Sequence, residues 1–260
     1  MIGIFDSGLG GLTALKELRE LCPECDIVYF GDTGRVPYGT RSKEILYRYA
    51  DEDIKLLLSK GAERILAACG TVSSVALPVI EENYPVKVTG VVKPAAAEAV
   101  LATKNKKIGV IGTGATISSG AFSCEIAKID SSIEVMEVAC PLFVPLVENG
   151  FIRDECEITA LAVEQYLSGI KDFGADVLIL GCTHFPIIAN HIGAYLGDAV
   201  TLINSGSAAA KELAREAMAT GGCGKCDIYV SDNPATFEAV AKIFLGTDTV
   251  PEVHTVRIGE

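Results

Sequence analysis

The stretch Val177-Leu-Ile-Leu-Gly-Cys-Thr-His-Phe-Pro186 sets the pattern on which the rest of the chain is built. Its first four residues are apolar, which is typical of a short buried strand rather than of an independent helix. Gly181 ends this strand, so Cys182 and His184 follow at its carboxyl end, and residues 187–195 are predicted to form a helix. Open α/β sheets bind their ligands at the carboxyl ends of strands, which makes this stretch a candidate site.

The same arrangement occurs a second time, in Arg64-Ile-Leu-Ala-Ala-Cys-Gly-Thr71. Here an apolar strand ends at Cys69, and residues 73–84 are predicted to continue as a helix. A helix amino terminus stabilises negative charge and therefore favours the thiolate over the thiol at both Cys69 and Cys182. Two thiols at two similar strand ends predict one pocket formed by two similar halves of the chain.

Length and composition exclude several classes of protein. The 260 residues suffice for one large domain or two of ordinary size, and 49% hydrophobic with 22% charged residues indicates a folded chain with a full core. A formal net charge of −12 argues against nucleic-acid binding and against anionic membrane surfaces. It does not exclude a small acidic substrate, because a pocket can oppose the overall field locally.

We expect a cytoplasmic protein whose cysteines are reduced. The chain is predicted to enter a strand at Ile2 without a signal-peptide pattern, and no run approaches the roughly 18 apolar residues of a membrane span. Its nine cysteines are then expected to be catalytic or metal-binding rather than disulfide-bonded. Cys124, Cys140 and Cys156 are interpreted as small buried hydrophobic residues.

Strands and helices alternate along the first part of the chain. Leucines at spacings of three from Leu12 to Leu21 predict a helix after the glycine-rich turn at residues 6–11. Ser42 is a candidate cap for a second helix, which ends at Gly61. Apolar runs predict strands at residues 2–5, 27–30, 64–68 and 86–92.

The pattern restarts near Pro94. Residues 107–116 repeat the order of residues 2–13, with a strand, a glycine-bearing turn, a hydroxyl residue and a helix. The offset from Ile2 to Ile108 is 106 residues and that from Cys69 to Cys182 is 113 residues, which indicates an internal duplication. This alternation predicts an α/β fold of two similar domains, each a mainly parallel sheet flanked by helices.

The domain borders follow from this repeat. The first domain is predicted to comprise residues 1–93 plus 206–260, and the second domain residues 94–205. Three later elements are returned to the first domain, which would otherwise be too short for its crossover connections. These are a helix at residues 207–219, a strand at 228–230 and a helix at 236–244.

Polar residues near the predicted strand ends are candidates for substrate contact. Asp6 and Ser7 either cap the first helix or bring a carboxylate and a hydroxyl to the strand-end cleft. His184 is one of only three histidines, and its position beside Cys182 favours a functional role over that of a buried structural residue.

Two glycine-containing segments give weaker signals. Tyr38-Gly39 lies in the long loop at residues 31–41 and is either part of an ordinary turn or the cover of a site. Gly8-Leu-Gly-Gly11 lacks both the dinucleotide spacing and the Walker lysine, so we expect no nucleotide site there.

Four further cysteines form two C-x-x-C pairs, Cys22-Pro-Glu-Cys25 and Cys223-Gly-Lys-Cys226. Each pair precedes a predicted strand, so the four thiols form a structural zinc site if the two strands start side by side. Loop cysteines without a ligand are an equally supported alternative, because the spacing between the pairs is unlike that of compact zinc motifs. Either way, the pairs lie at the end of the sheet opposite Cys69.

Together these features resemble the cofactor-independent glutamate racemases of bacterial cell-wall synthesis, over residues 2 to 244. The resemblance implies that the active site lies in the cleft between two domains related by a pseudo-twofold axis. It also implies a homodimer that interconverts L- and D-glutamate and so supplies D-glutamate for peptidoglycan. The motifs that carry it are Phe5-Asp-Ser-Gly-Leu-Gly-Gly-Leu-Thr13, Tyr29-Phe-Gly-Asp-Thr33, Arg35-Val-Pro-Tyr-Gly39, Cys140-Pro-Leu-Phe-Val-Pro-Leu-Val-Glu148 and Leu180-Gly-Cys-Thr-His184.

The resemblance also assigns roles to individual residues. It implies Cys69 and Cys182 as the two acid/base groups, and we expect Asp6 to assist Cys69 and His184 to assist Cys182. The residues expected to contact or support the amino acid are Asp6, Ser7, Tyr38, Gly39, Gly70, Thr71, Thr183 and His184.

One position departs from the family pattern. The family usually has Cys-Asn-Thr where this chain has Cys69-Gly70-Thr71. Losing a hydrogen bond to a charged substrate group costs about 1.5–3 kcal/mol unless water replaces it. The substrate affinity and substrate choice of this chain are therefore expected to differ from the family pattern more than its reaction type.

Two thiols suit the inversion of an α-carbon, which loses a proton from one face and gains a proton on the opposite face. One sulfur acts as thiolate and the other as thiol, and the roles exchange with the direction of the reaction. A free cysteine pKa near about 8.5 needs only modest lowering for this chemistry. Because the sequence contains no pyridoxal-lysine or metal motif, a water-poor cleft that closes on the substrate must stabilise the carbanion.

Several alternatives stay open from the sequence. An aspartate racemase of the same family is the nearest, and related decarboxylases are disfavoured because they carry only one of the two thiols. A non-catalytic amino-acid-binding relative that lost turnover through Gly70 is the second alternative. A thiol redox or zinc protein centred on the C-x-x-C pairs is the third.

Overall fold

Within residues 1–217 and 222–258, which the computed structural model describes, the chain forms two parallel β-sheets flanked by helices. The strands are β1 (Ile2–Asp6), β2 (Ile27–Gly31), β3 (Arg64–Ala67), β4 (Lys87–Gly90), β5 (Lys107–Gly112), β6 (Glu134–Ala139), β7 (Val177–Leu180), β8 (Thr201–Asn204), β9 (Cys226–Val230) and β10 (Val253–Thr255). The α-helices are α1 (Leu12–Leu21), α2 (Lys43–Ser59), α3 (Gly70–Val75), α4 (Leu77–Ile80), α5 (Val92–Ala102), α6 (Gly114–Ser119), α7 (Ala121–Ile129), α8 (Phe143–Glu148), α9 (Glu157–Phe173), α10 (Ala189–Leu196), α11 (Ser205–Ala217) and α12 (Pro234–Leu245). Short 3₁₀ turns occur at Thr33–Arg35, Glu81–Asn83 and Phe185–Ile188.

The two sheets repeat one strand order. The larger sheet runs β10-β9-β2-β1-β3-β4 and the smaller sheet runs β6-β5-β7-β8, with every pairing in the described residues parallel. The four strands β2-β1-β3-β4 therefore correspond in order to β6-β5-β7-β8. This confirms the predicted α/β fold of two similar domains, and it places Cys69 and Cys182 at equivalent strand ends.

Burial explains why the central strands were readable from sequence. All residues of β1 and β7 are buried, as expected for strands covered by helices on both faces. The leucines of α1 at positions 12, 15 and 18 face the core, which confirms the predicted helix. Ser42 caps α2 as predicted, because its Oγ accepts a hydrogen bond of 3.4 Å from the Ile45 amide.

Two of the predicted helices differ from the observed ones. Residues 73–84 were predicted as one helix, but α3, α4 and a 3₁₀ turn occupy this stretch. Pro78 has no amide to bond with the carbonyl of Ser74, so one continuous helix cannot form there. The helix predicted at residues 187–195 is observed as α10, which begins two residues later, at Ala189, after a 3₁₀ turn at Phe185–Ile188.

The chain returns to the first sheet after its second half. Strands β9 and β10 extend that sheet beyond β2, so the predicted strand at residues 228–230 pairs where it was expected. The predicted helix at 207–219 corresponds to α11, and its last two residues lie outside the described part of the chain. Helix α11 packs against α1 and α5, which connects the two halves.

Cysteine pairing differs from expectation at one end of the larger sheet. Strands β2 and β9 do lie side by side, with Ile27 opposite Cys226, but Cys22 and Cys25 form a disulfide with a Cα–Cα distance of 5.4 Å. A turn in which the Cys25 amide donates to the Cys22 carbonyl at 3.0 Å brings the two residues together. The expectation of reduced cysteines is therefore wrong for Cys22 and Cys25, whereas the other seven cysteines are free. Of the two alternatives for the C-x-x-C pairs, the zinc site at Cys22, Cys25, Cys223 and Cys226 is not formed in this structure, because two of its four thiols are joined in the disulfide.

The remaining cysteines differ in exposure. Cys140 is buried as predicted, whereas Cys124 on α7 is exposed and Cys156 is half-buried, so the buried interpretation is wrong for Cys124. In the described residues no group of three or more His, Cys, Asp or Glu side chains is arranged to hold a metal ion. The same residues contain no helix long and apolar enough to cross a membrane.

The centre of the larger sheet should carry much of the stability. We expect Ile4→Ala in β1 to lower the free energy of unfolding by about 2–5 kcal/mol, because Ile4 is fully buried and the variant leaves a cavity. Val79→Ala is the matched control, since Val79 is 58% exposed and its loss should change stability by less than about 0.5 kcal/mol. Urea unfolding followed by circular dichroism measures both, and equal effects would contradict this assignment of the core.

Candidate active site

One cavity of about 410 Å³ lies between the carboxyl ends of the two sheets and is lined by both halves of the chain. Strands β3 and β7 deliver the two candidate thiols to it, because each strand lies inside its sheet and ends at the cleft. The sequence-predicted residues that line this cavity are Ser7, Tyr38, Gly39, Cys69, Gly70, Thr71, Cys182, Thr183 and His184. Asp6 is not among the lining residues, since its side chain is fully buried behind the Ser7-Gly8 turn.

Cys69 lies at the start of α3, where its side chain is 5% exposed. Its sulfur is 3.7 Å from the Ser7 Oγ, to which the thiol donates. Burial and, to a smaller extent, the nearby Asp6 carboxylate raise the pKa of the Cys69 thiol to about 12. At neutral pH Cys69 is therefore a thiol that can give up a proton only when a substrate changes its surroundings.

Cys182 is linked to a histidine and a glutamate. The Cys182 Sγ lies 4.0 Å from the His184 Nδ1, and the His184 Nε2 lies 3.0 Å from the Glu148 Oε1. Although burial opposes the charged ring, the contacts with Cys182 and Glu148 raise the pKa of His184 to about 10. His184 is therefore an imidazolium at neutral pH, and a cation at this position stabilises negative charge on the Cys182 sulfur.

Asp6 contributes from behind the cavity wall. Its Oδ2 accepts a hydrogen bond of 2.9 Å from the Gly8 amide. Burial raises the pKa of the Asp6 carboxyl, while the positive charge of His184 and the amides of Gly8 and Gly11 oppose that rise. Because an ionised Asp6 disfavours a thiolate at Cys69, its protonation state is linked to that of the thiol.

Tyr38 closes one side of the cavity through a buried network. Its hydroxyl donates to the Asp32 carboxylate and also lies 3.1 Å from the Asp53 Oδ2, and the Arg35 guanidinium pairs with both carboxylates. Burial and the two carboxylates raise the pKa of Tyr38 far above its ordinary value. The hydroxyl is thus already engaged, so Tyr38 offers the cavity its ring and backbone, and Gly39 packs against Thr113.

Hydroxyl groups join the two halves across the cleft. The Thr71 Oγ1 and the Thr113 Oγ1 lie 3.0 Å apart and share a hydrogen bond. The Thr13 Oγ1 donates mainly to the Gly10 carbonyl at 2.9 Å and also lies 3.4 Å from the Thr183 carbonyl of the other half. These contacts hold the cleft walls together beside both thiols.

Sequence reasoning missed four residues of this site. Glu148, Thr113 and Cys140 line the cavity, and Asp32 anchors Tyr38 from behind. The signal for Glu148, Cys140 and Asp32 was present, because all three fall in the motifs that carried the family resemblance. Thr113 had a weaker signal as the hydroxyl residue of the repeated strand-turn pattern.

Fold and site together define a class of protein. Two similar parallel α/β domains place one thiol each in a shared cleft, an arrangement suited to acting on both faces of one carbon atom. A family model described as Asp/Glu/Hydantoin racemase matches residues 16–213. The chain belongs to this family and is an isomerase of the racemase type, which confirms the resemblance seen in its motifs.

Individual relatives match almost the whole chain. A glutamate racemase of Aquifex aeolicus is 44% identical over 252 residues, which cover 97% of this chain and 96% of the relative. The crystal structure of glutamate racemase from Francisella tularensis in complex with D-glutamate has a TM-score of 0.88 at 35% identity and covers 99% of this chain and 97% of that chain. The glutamate racemase from Thermus thermophilus in complex with β-chloro-D-alanine has a TM-score of 0.87 at 42% identity, over 98% and 96% of the two chains.

An aspartate racemase from Picrophilus torridus is more distant. Its structure has a TM-score of 0.59 at 20% identity and covers 84% of this chain and 94% of that chain. At this identity the likeness concerns the fold alone.

The charge on His184 predicts a specific pH dependence of stability. The folded-state pKa of about 10 lies above the ordinary value of 6.5, so the folded protein holds this proton more tightly than the unfolded chain does. The stabilisation is fully present below the ordinary pKa and is lost as pH rises toward the folded-state pKa. We expect the difference in unfolding free energy between wild type and His184→Asn to shrink between about pH 6 and about pH 10.

Urea unfolding of both proteins across this pH range measures the effect. His254→Asn is the matched control, because His254 is on β10 with a side chain 38% exposed, away from the cavity, and should keep the wild-type slope. Parallel curves for wild type and His184→Asn would contradict a charged His184.

Proposed function

We propose that this chain is a glutamate racemase that interconverts L- and D-glutamate by cofactor-independent transfer of the α-proton. The observation that carries the proposal is the shared cavity, in which strands of two similar domains each present a cysteine. The relatives named glutamate racemase, more than 40% identical over almost the full length, support the choice of substrate.

The geometry supports distinct starting states for the two thiols. Cys69 is a buried thiol beside Ser7, and Cys182 is a sulfur beside the imidazolium of His184. In one direction the Cys182 thiolate removes the α-proton from one face of the substrate, and the Cys69 thiol supplies its own proton to the opposite face. In the reverse direction the roles exchange, and Asp6 takes part by adjusting the protonation of Cys69.

His184 and Glu148 control the charge and the orientation of groups beside Cys182. The His184 Nδ1 lies 4.0 Å from the Cys182 Sγ and 3.5 Å from the Thr183 Oγ1, and the Nε2–H of the imidazolium donates to the Glu148 carboxylate. This arrangement keeps the ring oriented while charge moves between sulfur and substrate. The imidazolium also offsets the negative charge that develops on the substrate when the α-proton leaves.

Hydroxyl groups on both walls support the amino acid. Ser7, Thr71, Thr113 and Thr183 line the cavity and can donate to the substrate carboxylates. Gly39 and Gly70 leave backbone free to approach the ligand, and Tyr38 shields it from water. These roles extend the sequence-based expectation, with Thr113 added to it.

An aspartate racemase is the alternative that the site itself leaves open. The two substrates differ by one methylene, and a pocket discriminates such a difference only by about 10–200-fold. The much lower identity to the aspartate racemase structures favours glutamate.

We further propose the cellular location, the metabolic role and the domain borders of this enzyme from the family resemblance. It works in the cytoplasm and supplies D-glutamate for peptidoglycan. Its first domain comprises residues 1–93 plus 206–260 and its second domain residues 94–205, with borders at the start of α5 and of α11.

Replacing either thiol tests the mechanism. We expect Cys69→Ser and Cys182→Ser each to lower racemisation of L- and D-glutamate by at least about 10²–10⁴-fold, because each removes one acid/base group. Circular dichroism at a wavelength that reports glutamate handedness follows the reaction. Cys124→Ser is the matched control, since Cys124 is exposed on α7 and should leave turnover unchanged.

Solvent deuterium separates the alternatives. Wild type incubated in D₂O should place deuterium at the α-carbon of glutamate and much less at that of aspartate. Exchange into aspartate alone would replace the substrate assignment, and exchange into neither would indicate a non-catalytic binding protein.

A homodimer is proposed from the same resemblance. Large apolar side chains remain exposed on the second domain, including Ile158 and Leu161 on α9, as is common for association surfaces. Light scattering should give twice the mass of one chain, whereas a single-chain mass at all concentrations would contradict a dimer.

A further inference from the structure

The two catalytic strand ends touch through backbone at one point, the contact between Gly70 and Gly181. A Cβ atom added at Gly70 would lie 2.1 Å from the Gly181 carbonyl oxygen and 3.8 Å from the Cys182 Cα. Gly70 directly follows Cys69, and Gly181 directly precedes Cys182. This backbone contact between the two domains is therefore one residue away from each thiol.

The Gly70 side of this contact is fixed within its own domain. The Gly70 carbonyl accepts a hydrogen bond of 2.7 Å from the Ser74 Oγ in the first turn of α3. The Ser73 Oγ donates to the Ala67 carbonyl at 2.8 Å and accepts from the Val91 amide at 3.1 Å. Helix α3 is thus tied to β3 and to the start of α5, so Gly70 cannot retreat independently.

The Gly181 side is equally fixed. Its amide donates to the Ile111 carbonyl at 2.8 Å, and the preceding Leu180 carbonyl accepts from the Ser205 Oγ at 2.7 Å. A Cβ at Gly181 would itself lie 2.8 Å from the Ile111 carbonyl oxygen and 3.0 Å from the Phe122 ring. The backbone at Gly181 is therefore packed tightly against its own sheet.

Other close glycines at the cleft differ in kind. A Cβ at Gly10 would approach the Thr183 Oγ1 at 2.0 Å, and a Cβ at Gly39 would approach the Thr113 Cβ at 3.0 Å. Rotation about χ1 can move the Thr183 Oγ1 away from Gly10, although the Thr183 Cβ at 2.7 Å stays in place. The 3.0 Å contact at Gly39 needs a shift of only a few tenths of an ångström. At Gly70 the neighbour is a backbone carbonyl, and only separation of the two domains relieves it.

Any side chain at position 70 must then move the two thiols apart. Ordinary contacts of a Cβ atom lie at 3.4–4 Å, so the observed 2.1 Å requires a shift of more than 1 Å between the strand ends. Two sulfurs that act on one α-carbon need reacting distances of about 3–3.5 Å, and a misplacement of about 1 Å can lower a rate by about 10²-fold.

We propose that Gly70 is a positioning residue that sets the spacing of Cys69 and Cys182 through its backbone contact with Gly181. This inference rests on the proposed racemase function and deepens it. In this chain the glycine does more than omit the amide that the family pattern carries at this position: it permits a closer approach of the two domains. An asparagine at position 70 is incompatible with that approach.

The test compares Gly70→Ala, Gly70→Asn and wild type in racemisation of glutamate. We expect both variants to lower kcat by at least about 10-fold, with a smaller change in KM, because the thiols are spaced too widely for proton transfer. If Gly70 only omits a substrate contact, Gly70→Asn would instead lower KM and keep or raise kcat. That result would overturn the proposal, as would an unchanged kcat in Gly70→Ala.

A kinetic isotope effect distinguishes positioning from a general loss of structure. With glutamate deuterated at the α-carbon, the isotope effect on kcat should be larger in both variants than in wild type, because proton transfer becomes slower relative to the other steps. A lower kcat with an unchanged isotope effect would overturn the proposal. A variant that fails to fold by circular dichroism would also overturn it, because the contact would then serve folding and not spacing.

Gly169→Ala is the matched control. Gly169 lies inside α9, and a Cβ there would meet only the Met136 sulfur at 3.9 Å, so this variant should keep the wild-type kcat and isotope effect. Wild type itself keeps the two proposals distinguishable. If wild type does not racemise glutamate, the proposed function fails, whereas normal wild-type turnover with unaffected Gly70 variants defeats this inference alone.

Discussion

The structure depends on bringing two interior strand ends, those of β3 and β7, against one another. Each strand lies between two parallel neighbours, so its carboxyl end is held on both sides and cannot shift alone. The repeated strand order makes the two ends equivalent, and the cleft between the domains becomes a cavity with a thiol on each side. Duplication of one α/β unit thus supplies what inversion of a carbon centre needs, namely similar groups approaching from opposite directions.

Electrostatics makes these similar halves unequal. On one side Asp6 is buried behind Cys69, and burial together with its charge raises the pKa of that thiol to about 12. On the other side the positively charged His184 ring lies between the Glu148 carboxylate and the Cys182 sulfur. A buried negative charge costs little only where a partner is close, so the imidazolium is central to the charge balance of the whole cavity. A substrate that carries its own ammonium and carboxylate groups will redistribute this balance, which is how two thiols with different resting states can exchange roles.

The sequence predicted the interior of the fold and much of the site, and its failures have physical causes. Strands β1, β3 and β7 were predictable because both of their faces are buried. Strands β6, β8 and β10 were missed because their apolar patterns are mixed or short. The cavity-lining cysteines and His184 followed from motifs at strand ends. Glu148 fell in a family motif but could not be assigned a role from it, because its place beside His184, 36 positions later in the sequence, depends on how α8 packs. The zinc site is not formed for a local reason. A tight turn brings Cys22 and Cys25 together in a disulfide, which removes two of the four thiols that would bind the metal.

The structure changes the interpretation of Gly70 from an effect on substrate binding to an effect on the spacing of the two domains. From the sequence alone, Gly70 is a residue without the side-chain amide of the family pattern, which weakens substrate binding. In the fold the same position faces the Gly181 carbonyl, so the absence of a side chain has a direct steric consequence. The two effects act in opposite directions on catalysis, because a lost hydrogen bond weakens ground-state binding while a closer pair of sulfurs favours the transition state. When these two effects compete, the effect on the distance between the sulfurs dominates wherever a backbone atom causes the clash. A side chain can rotate away from a clash, but a carbonyl held in a sheet cannot.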